Sequence, residues 1–158
     1  VALRSLRPST GRSQDLEKWI TVGVPSLSAS TGKFYLEVLL GEGVTYEHCE
    51  IGWLPDEFME CAYASRSGVM DSGIGICGSN QNQPPWSAGD VIGCSIDLSS
   101  PKSTVMFYHN GQPIEGALRE FDHSGGRMFP AMSSDGQLFL RIAENKFTCG
   151  PPDPSYKA

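Results

Sequence analysis

The chain has 158 residues, of which 39% are hydrophobic and 19% are charged, and its formal net charge is −6. This length fits one domain with a real core, and no run reaches the roughly 18 apolar residues of a membrane-spanning helix. The lack of such a run means that we expect no membrane insertion. Because nucleic-acid binding needs a basic face and the net charge is negative, we expect no nucleic-acid partner.

Short strands separated by turn residues follow one another along the chain. Residues 13–19 are the best helix candidate, although the segment is short, and residues 116–121 can form one helical turn. Asn110-Gly111 predicts a two-residue hairpin turn, because both residues accept positive φ. Strands are predicted at residues 33–40, 49–54, 91–98, 104–109, 112–114, 128–132 and 137–142.

This alternation of short strands and turns predicts an all-β fold, a sandwich or a barrel with few or no helices. Residues 150–158 contain three prolines, and proline has no N–H to donate to a sheet. We therefore expect an extended ending there, either loose or packed along an edge. The predicted organisation is an N-terminal extension (1–18), a β-domain (19–149) and a C-terminal extension (150–158).

The cysteines indicate thiols rather than a metal site or a disulfide scaffold. They are odd in number and include no C-x-x-C pair, so we expect no metal and no cofactor. Thiols are typical of a reducing compartment, and we expect an intracellular, cytoplasmic location. Because the first residue is Val1 rather than Met, we expect a fragment or a processed form.

Two patterns that could carry chemistry have simpler interpretations, and a third is absent. Residues 73–78 match G-x-G-x-x-G, but Pro84-Pro85 follow where a dinucleotide-binding loop needs a helix. Asp71-Ser72-Gly73 resembles the active-site triplet of aspartic proteases, whose mechanism needs two such carboxylates, and a second triplet is absent. The G-x-S-x-G motif of many serine hydrolases is absent from the sequence. We predict no catalytic residues and no enzymatic activity.

Five segments, in order, resemble the SPRY (B30.2-type) domain family. They are GKFYLEV at residues 32–38, EIGW at 50–53, WSAGDVIGCSIDL at 86–98, VMFYHNG at 105–111 and MFPAMS at 128–133. Together they cover about residues 20–149. The chain departs from the family pattern in residues 61–78 and at Asn145-Lys146-Phe147. The resemblance implies a bent antiparallel two-sheet β-sandwich.

The resemblance also implies a non-catalytic protein-interaction module within a larger multidomain protein, often a ubiquitin ligase in which the module selects the substrate. Loops on a rigid β scaffold commonly carry binding residues, so we expect a protein or short peptide to dock in a shallow, preformed loop pocket. Two alternatives stay open: a structural domain that packs against its parent chain, and an enzyme or small-molecule binder. The predicted contact residues, of which Trp86 can instead belong to the core, are Tyr46, Asp56, Glu57, Phe58, Tyr63, Arg66, Asn80, Gln81, Asn82 and Trp86.

Overall fold

The computed structural model describes residues 2–3, 20–44, 47, 49–58, 69, 73–78, 84–99 and 102–158. Short 3-10 helices occupy Pro25–Leu27, Asp56–Phe58 and Glu144–Lys146. The strands of the described ranges are β1 (Ala2–Leu3), β2 (Ile20–Gly23), β3 (Lys33–Leu40), β4 (Cys49–Pro55), β5 (Ile74–Cys77), β6 (Val91–Asp97), β7 (Ser103–His109), β8 (Gln112–Pro113), β9 (Arg119–Phe121), β10 (Met128–Ser134) and β11 (Leu138–Arg141).

These strands form two antiparallel sheets that face each other. Sheet A has the order β1-β11-β3-β6-β7-β8, with β9 also paired to β7, and sheet B has the order β2-β10-β4-β5. Apolar side chains of both sheets meet between them; Leu36 and Val38 come from sheet A, and Ile51 and Trp53 come from sheet B. The predicted antiparallel two-sheet sandwich is therefore confirmed.

Two details of the predicted elements change. Residues 119–121, predicted as part of a helical turn, form β9, because they pair with residues 103–105 of β7. Strands β1 and β2 are absent from the predicted set; β1 pairs with β11 at the edge of sheet A, and β2 pairs with β10 at the edge of sheet B. The helix candidate at residues 13–19 lies outside the described residues.

Side-chain alternation along the central strands builds the core. Leu36, Val38 and Leu40 are alternate residues of β3, and all three are buried in the cluster between the sheets. Across that space the Trp53 Nε1 donates a hydrogen bond to the Cys94 Sγ at 3.1 Å. Burial raises the pKa of the Cys94 thiol to about 12, so this group stays neutral and packs as a small apolar side chain.

Asp90 connects the β7–β8 hairpin to the turn that precedes β6 through hydrogen bonds to both. Asn110 and Gly111 have φ values of 50° and 80°, the positive φ expected of this dipeptide. Asp90 accepts hydrogen bonds from the Asn110 side chain at 2.9 Å and from the Ser87 N–H at 2.8 Å, and it lies 3.0 Å from the His109 Nε2. Partial burial raises the pKa of Asp90, but these hydrogen bonds outweigh it and hold the pKa below its usual range.

The outer face of sheet A is covered by the C-terminal part of the chain. Tyr35 and Glu37 point outward from β3, yet their exposed fractions are 2% and 0%. The Glu37 carboxylate accepts the backbone N–H of Thr148 at 2.6 Å and those of Cys149 and Gly150 at 2.9 Å each. Burial, followed by the charge of Glu37, raises the pKa of the neighbouring Tyr35 hydroxyl.

Beyond this anchor the C-terminal extension continues along β3. Lys157 forms a parallel bridge with Phe34. Just before the anchor, the Phe147 ring packs edge-on against Tyr35 with ring centroids 5.1 Å apart. The extended ending, for which a loose and an edge-packed arrangement were both expected, is therefore packed along an edge.

We expect Glu37→Ala to lower the free energy of unfolding by about 3 to 5 kcal/mol, because three inward-pointing N–H groups would lose a charged acceptor. Urea denaturation followed by tryptophan fluorescence measures this difference. Glu144→Ala, at an exposed glutamate, is the matched control and should change stability by about 0.5 kcal/mol or less. Equal stability of the two variants would contradict the anchoring role of Glu37.

We expect Asp90→Asn to cost about 1 to 2 kcal/mol at pH 5, because it weakens the hydrogen bonds that join two turns. The pKa of Asp90 is lower in the folded chain than the value of about 3.9 in an unfolded chain. Its stabilisation is therefore present above about pH 4 and is lost as the pH falls through the folded pKa. Urea denaturation at pH 5 and near pH 2 should show the two proteins converging in acid, and a difference that persists there would argue against this linkage.

Candidate functional site

The described contact residues lie at different places in the fold. Asp56, Glu57 and Phe58 form the 3-10 helix that directly follows β4. Trp86 is 2% exposed and packs in the cluster between the sheets. The remaining six predicted contact residues lie outside the described part of the chain: Tyr46, Tyr63, Arg66, Asn80, Gln81 and Asn82.

Trp86 is a core residue, which is the alternative that the sequence left open for it. Its neighbours Pro85 and Ser87 are exposed, while its own ring is buried among the apolar side chains of both sheets. The physical reason is the large apolar area of the indole, whose removal from water stabilises the fold more than surface contacts would.

Strand β4 separates the segments that carry the other predicted contacts. The Cys49 carbonyl, at the start of β4, accepts the N–H of Gly78 at 3.1 Å, so the chain enters β4 and leaves β5 at the same end of sheet B. Asp56 follows the opposite end of β4, roughly 20 Å away at the usual rise per residue of a strand. Asp56–Phe58 occupies this second end, whereas Tyr46 precedes β4 and residues 80–82 follow β5 in the sequence.

Arg127 fixes the position of Asp56. The Asp56 N–H donates to the Arg127 carbonyl at 3.0 Å, and the Arg127 Nε lies 3.7 Å from the Asp56 Oδ2. The same guanidinium donates to the Ser28 Oγ at 2.9 Å and to the Ser28 carbonyl at 2.5 Å. Three separate loops are thus joined at this end of the sandwich, so Asp56 is presented on a preformed surface.

The other two residues of this helix have different surroundings. Glu57 is exposed, whereas Phe58 is half-buried. The Phe58 ring packs on a small apolar cluster on the outer face of sheet B, which contains Leu54, Val69 and Phe129. Glu57 is therefore available for contact with a partner, while Phe58 also stabilises the fold.

An apolar pocket of about 260 Å³ lies at the same end of the sandwich. Its floor contains Trp53 and Leu36, and its wall contains Leu27 and Ser28, the serine that binds Arg127. Leu27 is 38% exposed, which is unusual among the large apolar side chains of the described residues. This pocket can receive an apolar group, because an apolar cavity of roughly 150 Å³ already accommodates a benzene ring.

A serine–histidine pair exists in the fold but does not form a hydrolase site. The Ser103 Oγ lies 2.7 Å from the His123 Nδ1, and the His123 Nε2 lies 3.0 Å from the Ser30 carbonyl oxygen. Ser103 has no exposed surface, so a substrate cannot reach its hydroxyl. The pair instead fixes the turn that contains His123 against β7 and the loop before β3.

The described residues contain no candidate for a metal-binding cluster and none for a membrane-spanning helix. There, no three His, Cys, Asp or Glu side chains are placed to hold a metal ion. No helix of the described ranges is long and apolar enough to cross a membrane.

No local pattern in the sequence indicates the contacts that build this end of the sandwich. Arg127 and Ser28 are 99 residues apart, and each stands alone in an otherwise ordinary polar turn. The pocket likewise joins residues from five or more segments of the chain, including Leu27, Trp53 and Ile142. Pairing of distant strands, which single-sequence patterns do not specify, brings them together.

Comparisons with known proteins agree with this architecture. The family described as "SPRY domain" matches residues 33–144, which is more than half of the chain. The chain is also similar to a solved structure titled "Crystal structure of human SPRY domain", with a TM-score of 0.55 and 18% sequence identity. That likeness covers 80% of this chain and 87% of the human chain, and at this identity it shows the fold.

We expect Trp86→Ala to lower the free energy of unfolding by about 3 to 5 kcal/mol, because it leaves a large cavity between the sheets. Pro85→Ala, at the exposed neighbour, is the control and should have an effect of about 0.5 kcal/mol or less. Thermal and urea denaturation of both variants measure the difference. A Trp86→Ala variant as stable as the original chain would contradict the core role of Trp86.

Proposed function

The chain belongs to the SPRY domain family, and from this premise we propose that it binds a peptide or protein partner through the loops at the Asp56 end of the sandwich. SPRY domains are generally protein-interaction modules. The finer proposal is that Asp56–Phe58, together with residues that follow them in the sequence, supplies the contact surface. Tyr63 and Arg66, which follow Asp56–Phe58 in the sequence, complete this proposed contact set.

The arrangement of Asp56, Arg127 and Ser28 is the observation that supports this proposal. The ion pair and hydrogen bonds among them hold a charged, accessible turn on the rigid end of sheet B. A partner that docks on a preformed surface loses less conformational entropy on the side of this protein. The exposed carboxylate of Glu57, in a chain of net charge −6, favours a partner segment with a basic residue.

Within a larger protein, this module would select the partner on which the other domains act. We extend the proposal to an intracellular, cytoplasmic multidomain protein such as a ubiquitin ligase, in which the partner is the substrate. In the sequence, Tyr46 precedes β4, and Asn80, Gln81 and Asn82 follow β5. We propose these four residues as a separate, secondary contact set.

The alternative of a structural domain that packs on its parent chain has less support. Leu27 and Leu118 are the large apolar side chains that the described residues expose, at 38% and 56%. They belong to different loops, and single exposed apolar residues are ordinary on protein surfaces.

The test uses affinity capture with the whole chain, followed by calorimetry with the captured protein in purified form. We expect Glu57→Lys to weaken binding about 10-fold or more, because it reverses a charge at the proposed contact. Glu57 is a better probe than Phe58, whose ring also stabilises the fold.

Glu115→Lys is the matched control, since it makes the same charge change at an exposed position after β8. It should leave the affinity within about twofold of the original value, which excludes a long-range charge effect. If both variants bind the partner as tightly as the original chain, recognition does not occur at the Asp56 end.

A further inference from the structure

Strand β3 has one edge that β11 covers along half of its length. Strand β11 pairs with residues 37–40, and the C-terminal segment occupies the remaining part of that edge. The Tyr35 N–H donates to the Lys157 carbonyl at 2.7 Å, and the Lys157 N–H donates to the Lys33 carbonyl at 3.0 Å. These are the hydrogen bonds that an extended peptide makes when it adds to the edge of a sheet.

The C-terminal segment is held firmly at its root. Three N–H groups of residues 148–150 bind the fully buried carboxylate of Glu37. Hydrogen bonds to a charged group in a buried place are strong, so the root opens only when the sheet itself unfolds.

The tip of the segment, defined as residues 156–158, is held by fewer contacts. Apart from the two backbone hydrogen bonds of Lys157, Tyr156 is half-buried under the Lys33 ammonium, 5.4 Å from its ring centroid, and its hydroxyl binds Ser95. Lys157 and Ala158 are exposed, as are residues 152–155, which connect the tip to the root. A segment with so little burial opens locally, without global unfolding.

Opening of the tip would expose backbone hydrogen-bonding groups at the edge of β3. The Lys33 carbonyl and the Tyr35 N–H would lose their partners at the same time. Ala158 lines the 260 Å³ apolar pocket, so its departure would also widen the entrance to the space between Leu27 and Trp53. The methyl group of Ala158 is too small to fill this space.

We propose that the edge of β3 at residues 33–35 is a second peptide-binding site. In the free protein the tip occupies this site, and a ligand displaces it. The ligand is an extended segment of a partner protein that adds to β3 in place of residues 156–158. It makes the two backbone hydrogen bonds that Lys157 makes now, and it inserts an aliphatic side chain into the pocket at the position of Ala158. This site goes beyond the loop recognition proposed above, because Glu57 takes no part in it.

Hydrogen exchange of a single amide measures the opening directly. The Tyr35 N–H bonds to the tip, whereas the Leu40 N–H of the same strand bonds to the Asp90 carbonyl at 2.9 Å. We expect the Tyr35 amide to exchange about 100-fold faster than the Leu40 amide in NMR experiments, because it exchanges by local opening. If both amides exchange at the rate of global unfolding, the tip is a permanent strand and the proposal is wrong.

Three variants calibrate this measurement. Lys157→Pro removes the N–H that binds Lys33, and we expect it to speed exchange at Tyr35 about 10-fold with Leu40 unchanged. Lys157→Ala keeps that N–H and is the matched control, with a change of about twofold or less. Ala158→Leu should slow exchange at Tyr35 about 10-fold by filling the pocket; unchanged exchange would show that the pocket does not accept the side chain.

Peptide binding then tests the site itself. A chain that ends at Ser155 is titrated with the peptide Pro-Ser-Tyr-Lys-Ala and with the same peptide carrying the Ala158→Leu change. We expect the Tyr35 amide resonance to shift with both, and the leucine peptide to bind about 10-fold more tightly. The intact chain should bind each peptide about 10-fold or more weakly, because its own tip competes.

The outcomes separate this proposal from loop recognition. Equal affinity of the two peptides, or equal affinity of the intact and shortened chains, would overturn the proposal. Resonance shifts in residues 56–58 instead of Tyr35 would also overturn it while leaving loop recognition in place. If the shortened chain does not fold, the exchange rates of the full-length variants decide the question alone.

Discussion

The outer face of sheet A depends on the hydrogen bonds that the buried carboxylate of Glu37 accepts. Its oxygens accept three backbone N–H groups of residues 148–150 and the hydroxyl of Tyr35, and the Arg141 guanidinium lies 3.9 Å away. A carboxylate without such partners would be too costly to bury. Glu37 therefore needs the C-terminal segment in place, and the segment needs Glu37 as its anchor. Because each depends on the other, the sheet and the chain up to Gly150 are stabilised together.

A comparable arrangement covers part of the outer face of sheet B. The Val69 N–H donates to the Ser133 Oγ at 3.1 Å, and that hydroxyl lies 2.8 Å from the Thr21 Oγ1. The Phe129 ring crosses to β2 and packs where a Cβ of Gly23 would otherwise stand, so only glycine fits there. Since both outer faces of the described sandwich carry packed residues, we place recognition at loops and strand edges. The two proposed sites are of these two kinds.

The elements that were predictable from the sequence are those with a local pattern. Lys33–Leu40 has strand residues bounded by glycines, and Asn110-Gly111 encodes its own turn, so both are found where predicted. Strand β9 was not predictable, because its three residues become a strand by pairing with β7. The burial of Trp86 likewise follows from the packing of two sheets, and no pattern around it distinguishes a core indole from a surface one. The family resemblance predicted the two-sheet sandwich. It did not predict how far apart the two ends of β4 lie, and therefore not which contact residues can act together.

The loop between β2 and β3 explains why both proposed sites can be preformed. Ala29 exchanges two backbone hydrogen bonds with Met128, at 3.0 and 2.8 Å, and the Val24 N–H donates to the Pro130 carbonyl at 2.9 Å. These bonds hold the loop on β10, so Ser28 presents its carbonyl to Arg127 while its neighbours form the wall of the apolar pocket. A wall fixed by backbone hydrogen bonds loses little entropy when a ligand contacts it. The entropy lost on binding is then mainly that of the ligand. At β3, residues 156–158 must also leave, so the affinity of this edge for a ligand depends on how weakly these residues are bound.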